Sequence, residues 1–232
     1  MAPAFAKAAN QMKLAPSMTT TLMAPEDLAA RLAARLCHDV AGKISGLTFG
    51  VDLMAEAKDD GRRQEAISVL TASLKGLNDL LAHYRLAFGR GDVEASTADL
   101  EAGARTLFED LRPTLDWRID AQSLPAAVAR VVLHLVEIAG GALASGGVAK
   151  VSAVVAEGDA QIRIEASGPR VKLRPGTMAG LSGEAVPDGQ NSRWIQAWFL
   201  QAQVAAMQGS ITIDEGDEAI VFRVSLPTVP VG

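Results

Sequence analysis

The amino-acid sequence predicts an α+β fold in two parts, an N-terminal antiparallel helical hairpin and a C-terminal sandwich of helices over a sheet. Three observations predict it. Two consecutive segments carry apolar residues at every third or fourth position, which is the spacing of an amphipathic helix. A short polar break, Lys58 to Gly61, separates them. Beyond about residue 98, helical patterns interleave with short runs that alternate apolar and polar residues, as strands do.

The first predicted helix begins near Pro25 and Glu26, because proline and acidic residues favour helix N-termini. Its apolar positions form one stripe, made of Leu28, Leu32, Leu36, Val40, Ile44, Leu47, Val51 and Met54. Residues 1–24 are predicted to be a flexible extension. Lys7 and Lys13 interrupt the alanine-rich stretch that a signal peptide would need.

The second predicted helix carries an apolar stripe whose spacing alternates between three and four, as in helices that pack on other helices. Its members are Ile67, Leu70, Leu74, Leu77, Leu81, Tyr84 and Phe88. The two helices predict a hairpin over residues 25–90. A lone hairpin would leave part of both stripes in water, so we expect a homodimer with a four-helix bundle. The alternative is that the C-terminal half covers the hairpin within one chain.

Residues 91–232 are predicted to form the α/β sandwich. Helices are expected at 99–111, 126–143 and about 193–207, and strands at 115–120, 148–157, 160–167, 210–216 and 219–227. The segment from Gly168 to Asn191 is rich in glycine and proline and predicts a loop.

Composition excludes several classes of protein. The net charge is -5 with acids and bases mixed along the chain, so no basic stripe for nucleic acid is present. No apolar run approaches the roughly 20 residues that span a bilayer. The single cysteine, Cys37, excludes an intrachain disulfide framework and suits a reducing compartment. We therefore expect a cytoplasmic protein with neither nucleic-acid nor membrane partners.

His38 is the candidate catalytic residue. At about 100° per residue, it lies roughly 160–180° from the centre of the first stripe and therefore points outward. An accessible imidazole can attack an aspartyl-phosphate, small neighbours allow a partner to approach, and cations balance the transferring charge. Asp39 is placed to polarise or orient the ring. The neighbours one turn away are Arg31, Ala34, Arg35, Gly42 and Ser45.

The alternative for His38 is an ordinary solvated helix residue. His83 lies beside the second apolar stripe and His134 lies within an apolar run, so both are interpreted as structural. Cys37 cannot pair with His38 as a nucleophile, because adjacent side chains on a helix diverge.

The string RLAARLCHDVAGKISGL, Arg31 to Leu47, resembles the phosphoacceptor helix of the ChpT family of histidine phosphotransferases. The resemblance continues through LAHYRLAFG, RPTLDW, GGVAKV, SGPRVKLRP and WIQAWFLQA, and covers about residues 28–226. It implies a dimerisation hairpin followed by a degenerate histidine-kinase-type ATPase α/β sandwich, with His38 as the phosphoacceptor. It also implies a homodimer that relays phosphate from the receiver domain of a hybrid histidine kinase to response regulators. Mg²⁺ is then expected on the partner receiver, with no cofactor or metal on this chain.

The same resemblance implies that the chain is not an ATP-dependent kinase. Ile138 falls at the position of the asparagine that holds Mg²⁺ in a kinase, and an apolar side chain cannot coordinate it. Ala166 replaces the carboxylate that recognises adenine, and Arg170 replaces a glycine of the nucleotide loop. The segment DGQNSRW, residues 188–194, lacks the glycine pattern that wraps phosphates.

Two groups of residues are predicted to bind receivers. One surrounds His38 and contains Arg31, Arg35, Gly42, Lys43 and Ser45. Family members often carry proline where this chain has Lys43, so we expect a straighter helix and a further cation near the partner.

The other group is Arg170, Lys172 and Arg174, which alternate with Val171 and Leu173. In an extended segment the three cations project to one side and could steer an acidic receiver, although an ordinary solvated strand is the alternative.

Two other functions stay open. One is a non-catalytic module of the same fold that binds and regulates a receiver or kinase, and the other is an active kinase or phosphatase.

Overall fold

The computed structural model describes residues 10–14, 23–89, 94–109, 112–184 and 194–228. The chain divides into two compact units. One is Met23–Arg90, and the other combines Met1–Leu22 with Gly91–Gly232.

The first unit is the predicted helical hairpin. Helix α1 spans Pro25–Glu56 and helix α2 spans Asp60–Phe88. The turn between the helices was predicted over Lys58 to Gly61, but α2 already begins at Asp60. The side chain of Asp59 accepts a 2.9 Å hydrogen bond from the backbone N–H of Arg62 and so caps α2. Helix α2 therefore begins a full turn and more before its first apolar stripe residue, Ile67.

Glycines let the two helices approach each other closely. A Cβ at Gly50 would lie 2.7 Å from Cγ of Leu70, and a Cβ at Gly46 would lie 2.6 Å from Oγ of Ser73. Both distances are too short for real side chains, so the face of α1 that carries these glycines is the face that packs on α2.

In the described residues of the second unit, four helices accompany one large sheet. The helices are α3, Thr97–Glu109, α4, Ala126–Ala142, α5, Pro175–Leu181, and α6, Trp194–Ala206. Helix α4 is buried along most of its length and packs on the sheet and on α6. Helix α5 lies inside the segment predicted as a loop, so that prediction was wrong there. Pro175 begins this short helix, and its interior glycines hid it from a propensity argument.

The strands are β1, Asn10–Leu14, β2, Ala95–Ser96, β3, Thr114–Trp117, β4, Ser123–Leu124, β5, Val148–Ala156, β6, Asp159–Ser167, β7, Ser210–Glu215, and β8, Ala219–Pro227. Six form one sheet in the order β1-β7-β8-β6-β5-β3, and β2 pairs with β4. All neighbours in the large sheet are antiparallel except β3 and β5. The predicted fold class, a helical hairpin followed by an α/β sandwich, is confirmed.

Strand β1 lies within residues 1–24, which were predicted to be a flexible extension. Asn10–Leu14 pairs antiparallel with β7, with Asn10 opposite Glu215 and Leu14 opposite Ile211. The outer edge of β7 offers backbone donors and acceptors that another strand can satisfy. Residues 1–9 and 15–22 lie outside the described part of the chain.

Within the described residues, no helix combines the length and the apolar character that crossing a bilayer requires.

Candidate functional site around His38

The imidazole of His38 projects away from the hairpin. Its side chain is 79% exposed, whereas Leu36 and Val40 of the apolar stripe are partly buried. The outward direction predicted from helical geometry is therefore confirmed. A protein that docks on this face of α1 reaches the ring without any rearrangement of the hairpin.

Asp39 lies beside the ring and is held by two helices. Its Oδ1 is 3.2 Å from Nδ1 of His38. Its Oδ2 accepts hydrogen bonds from Nε of Arg35, at 2.5 Å, and from the hydroxyl of Tyr84 on α2, at 2.8 Å. Asp39 was predicted to polarise or orient the ring. In the structure its Oδ1 lies next to Nδ1 of His38, while Arg35 and Tyr84 hold its other oxygen.

The environment of Asp39 keeps it ionised. Burial by itself would raise the pKa of this carboxyl, but the hydrogen bonds from Arg35 and Tyr84 and the charge of Arg35 outweigh it and hold the pKa below its ordinary value. The side chain of Arg35 is 12% exposed and that of Asp39 is 22% exposed, so solvent screens the pair weakly. A fixed negative charge therefore stands next to an exposed imidazole.

The neighbours of His38 on the outer face leave it open. Gly42 is exposed, and a Cβ built there would have no atom within 4 Å. The hydroxyl of Ser45 is turned back on the helix, where it donates to the carbonyl of Ala41 at 3.0 Å. Phe49 lies about three turns further along the same face and is highly exposed.

The three predicted cations of α1 are not equivalent. Arg35 is committed to Asp39, and Arg31, one turn earlier, is partly buried. Lys43 faces α2, where its chain passes over Gly76: a Cβ at Gly76 would lie 3.1 Å from Nζ and 3.4 Å from Cδ of the lysine. The structure thus separates Lys43 from the face that carries His38, and its contribution to receiver binding stays a prediction.

The basic row in the second unit alternates in exposure with its apolar neighbours. Arg170, Lys172 and Arg174 are exposed, and Val171 and Leu173 between them are buried. Arg170 lies in a turn, and residues 171–174 belong to neither a helix nor a strand. The backbone N–H of Lys172 donates to the carbonyl of Ala142 at the end of α4, at 3.1 Å, which holds the row in place.

The other two histidines are buried. His83 is 2% exposed, and its ring lies 5.9 Å from that of Tyr84. His134 is fully buried between α4 and α6, where Nδ1 lies 3.4 Å from Nε2 of Gln196 and the ring meets Phe199 edge-on. Neither ring is accessible to a docking protein, in agreement with their structural interpretation.

The positions compared with a kinase nucleotide site are partly described. Ile138 and Ala166 are buried apolar side chains, on α4 and β6 respectively. Residues 188–193, which the sequence comparison also used, lie outside the described residues. In the described ranges, no cluster of three or more His, Cys, Asp or Glu side chains has the geometry to hold a metal ion.

Two residues of this region escaped the sequence analysis. Tyr84 was placed in the apolar stripe of α2, although it is the one tyrosine of the chain and a phenol in a helix interface usually seeks a polar partner. Phe49 falls on the His38 side of the same helical projection that located the histidine, so the signal for it was present.

Comparisons with known proteins bear on both units. Residues 97–219 match the family model described as histidine phosphotransferase C-terminal domain. The chain is 27% identical over 211 residues to the protein phosphotransferase ChpT of Brucella abortus (strain 2308), which covers 89% of this chain and 98% of that protein. A solved structure of a bacterial phosphotransferase is similar with a TM-score of 0.78 and 24% identity, and the match covers 88% of this chain and 98% of the other. The likeness thus extends from the sandwich over the hairpin.

Proposed function

The chain belongs to the histidine phosphotransferase family, and from this premise we propose that His38 is its phosphoacceptor and that it relays phosphate between receiver domains. The observation that carries the proposal is the exposed imidazole of His38 beside the anchored carboxylate of Asp39. His83 and His134 are buried, so His38 is the histidine that a docked protein can reach.

The proposed reaction is a direct transfer between an aspartyl-phosphate and the imidazole. A neutral ring with its proton on Nδ1 presents the lone pair of Nε2 to the phosphorus. As the Nε2–P bond forms, the P–O bond to the receiver carboxylate breaks and that carboxylate leaves with the electron pair. The ring keeps its Nδ1 proton and becomes positively charged, and Asp39, 3.2 Å from Nδ1, balances that charge. The reverse sequence of steps passes the group to a second receiver.

The proposed partners are the receiver domain of a hybrid histidine kinase and the receivers of response regulators. Receivers concentrate carboxylates around their phosphorylation site, so basic residues near His38 and the row Arg170, Lys172 and Arg174 would favour the encounter. Phe49 adds an apolar contact on the face of His38. We expect Mg²⁺ on the receiver, where the aspartyl-phosphate is bound. A cytoplasmic location is part of the same proposal, because the free cysteine Cys37 suits a reducing compartment.

A homodimer is proposed from the apolar residues that the hairpin leaves in water. Three large apolar side chains at heptad spacing on α2 are 41–52% exposed, and two further large apolar side chains on α1 are also exposed. These five residues are called the unburied row. A second copy of the hairpin would bury this surface as a four-helix bundle, since an antiparallel pair of stripes is self-complementary. The members are Ile44, Val51, Ile67, Leu74 and Leu81.

We also propose that the second unit does not use ATP. Ile138 and Ala166 present hydrocarbon where a kinase needs an oxygen ligand for Mg²⁺ and a carboxylate for adenine. Titration with a fluorescent ATP analogue in the presence of Mg²⁺ tests this directly. Saturable binding at micromolar concentration would contradict the proposal.

The test of the phosphotransfer proposal is incubation of the purified chain with a receiver domain phosphorylated on its aspartate. Label should move to the wild-type protein and should not move to His38→Ala. His83→Asn is the matched control, because it removes a histidine from the same hairpin and should still accept label if it folds. Binding of the receiver without any transfer of label would instead support a non-catalytic regulatory module. Labelling by ATP alone would indicate a kinase.

A further inference from the structure

The hydroxyl of Tyr84 connects the second helix of the hairpin to the residue next to His38. It donates to Oδ2 of Asp39 at 2.8 Å, across 45 positions of sequence. Arg35, one turn before Asp39 on α1, donates to the same oxygen at 2.5 Å. With Oδ2 held by two donors, Oδ1 is left toward Nδ1 of His38 at 3.2 Å. The carboxylate thus has one oxygen fixed to the scaffold and the other directed at the imidazole.

The exposed fraction of the side chains increases from Arg35 to Asp39 and then to His38. Arg35 and Asp39 are largely buried, and the ring of Tyr84 is partly buried, with its centroid 5.7 Å from that of Phe88 in an edge-on arrangement. His38 itself is 79% exposed and has no such packing from its surroundings to fix it. An exposed side chain that rotates freely spends part of its time in orientations that cannot react. Because Asp39 contacts His38, the residues that hold Asp39 also affect how often His38 is correctly oriented.

We infer that Tyr84 is a positioning residue for phosphoryl transfer, which orients His38 and selects its tautomer by fixing Asp39. The inference rests on the proposed role of His38 as phosphoacceptor. A neutral imidazole carries one proton, and the nitrogen that carries it cannot attack phosphorus. When Oδ1 of Asp39 accepts from Nδ1–H, the lone pair is on Nε2, which points away from the helix. When Asp39 is loosened, the proton distributes between the two nitrogens and the ring rotates.

The test replaces Tyr84 by phenylalanine in the full-length chain, which removes one hydroxyl and keeps the ring. Nitrogen chemical shifts of ¹⁵N-labelled His38 report the tautomer at a pH where the ring is neutral. The fraction of Nδ1–H tautomer should fall in Tyr84→Phe. The rate constant of transfer from a phosphorylated receiver should fall about tenfold, the effect of losing one hydrogen bond to a charged group. Receiver affinity should stay within about twofold, because the hydroxyl acts through Asp39 and not on the partner.

Ser68→Ala is the matched control. It also removes a hydroxyl from α2, where the serine donates to the carbonyl of Gln64 at 2.9 Å. Neither the tautomer of His38 nor the transfer rate should change in this variant. Thermal melting of both variants confirms that each has folded.

The outcomes separate this inference from the proposed function. An unchanged tautomer in Tyr84→Phe overturns the inference, whether or not the rate falls, because the hydroxyl would then act by another route. If the wild-type chain accepts no phosphate, the proposed function fails. The tautomer comparison would still show whether Tyr84 controls His38 through Asp39.

Discussion

The helical hairpin and the α/β sandwich differ in how completely they bury their apolar residues. In the sandwich, large side chains such as Leu133, Leu135 and Phe222 have no exposed surface at all. Over residues 23–89, the buried apolar side chains are the two alanines Ala66 and Ala87. The large apolar side chains of the hairpin are partly or mostly in water, although their spacing is that of packed helices.

The difference supports the proposed homodimer, because a second hairpin would bury apolar surface that one hairpin leaves exposed. Burial of apolar area is the main favourable term in folding and association, so the proposed dimer would stabilise the hairpin more than the sandwich. The candidate phosphoacceptor lies on the hairpin. His38 is on a different face of α1 from the unburied row, so the proposed second hairpin would leave the ring open to the proposed receiver.

The largest effect is expected from placing a charge in the unburied row. Leu74→Glu puts a carboxylate where the proposed second hairpin packs, and burying it without a partner costs several kcal/mol. The dimer should weaken by at least about hundredfold, since each factor of ten corresponds to about 1.4 kcal/mol. Sedimentation equilibrium measures this change.

The matched control for that prediction is Val154→Glu. Val154 is 63% exposed, the highest value among the large apolar residues that the structure describes in the sandwich, and it belongs to β5 and not to the hairpin. It should leave the oligomeric state unchanged. A Leu74→Glu protein that remains dimeric would show that the row is not the interface.

A smaller effect, on the free energy of unfolding, is expected from adding one methyl group to α1 by a glycine-to-alanine substitution. Gly50 lies on the face that packs on α2, and Gly42 lies on the exposed face. In Gly50→Ala the new Cβ would lie 2.7 Å from Cγ and 3.3 Å from the backbone nitrogen of Leu70, so the helices must separate. The free energy of unfolding should fall by about 1–3 kcal/mol. In Gly42→Ala the Cβ meets nothing within 4 Å, and the variant should gain about 0.5–1 kcal/mol from helix propensity. Urea denaturation compares the two. Equal effects would mean that the close approach of the helices does not constrain Gly50.

The smallest effect concerns Asp39 and pH. A carboxyl whose pKa is lowered on folding contributes stability that is present above its unfolded value and is lost as pH falls through its folded value. The wild type should therefore be more stable than Asp39→Asn by about 1 kcal/mol near neutral pH. The gap should persist down to about pH 5 and close at pH values below 3.8, the ordinary value for aspartate. Unfolding curves over this range test it, and a gap that closes between about pH 7 and pH 5 would contradict an ionised, anchored Asp39.

Features that depend on one helix or strand could be predicted from the sequence. Helical periodicity located both stripes and the outward direction of His38, because 3.6 residues per turn determine which side chains share a face. Alternation likewise separates the exposed cations Arg170, Lys172 and Arg174 from the buried Val171 and Leu173, and their projection to one side stays a prediction. The start of α1 was predicted from Pro25, whereas the start of α2 at the Asp59 cap falls inside the predicted turn.

Features that depend on distant segments could not be predicted. Strand β1 forms because Asn10–Leu14 pairs with the edge of β7, about two hundred residues away in the sequence. No local sequence pattern predicts that pairing. The bond from Tyr84 to Asp39 depends on the register of α1 against α2, as does the position of Lys43 over Gly76. Local patterns therefore located the candidate phosphoacceptor His38, and the structure was needed to find Arg35 and Tyr84, which hold the neighbouring Asp39.

The most direct test of the central claim is to locate the phosphoryl group on the chain itself. The full-length protein is phosphorylated by a receiver and kept at neutral or alkaline pH, and the modified residue is identified by mass spectrometry and by ¹⁵N–³¹P coupling. The account predicts a single phosphohistidine at residue 38, with phosphorus on Nε2 and the proton on Nδ1 facing Asp39. Phosphate on His83 or on His134, or on Nδ1 of His38, would contradict it.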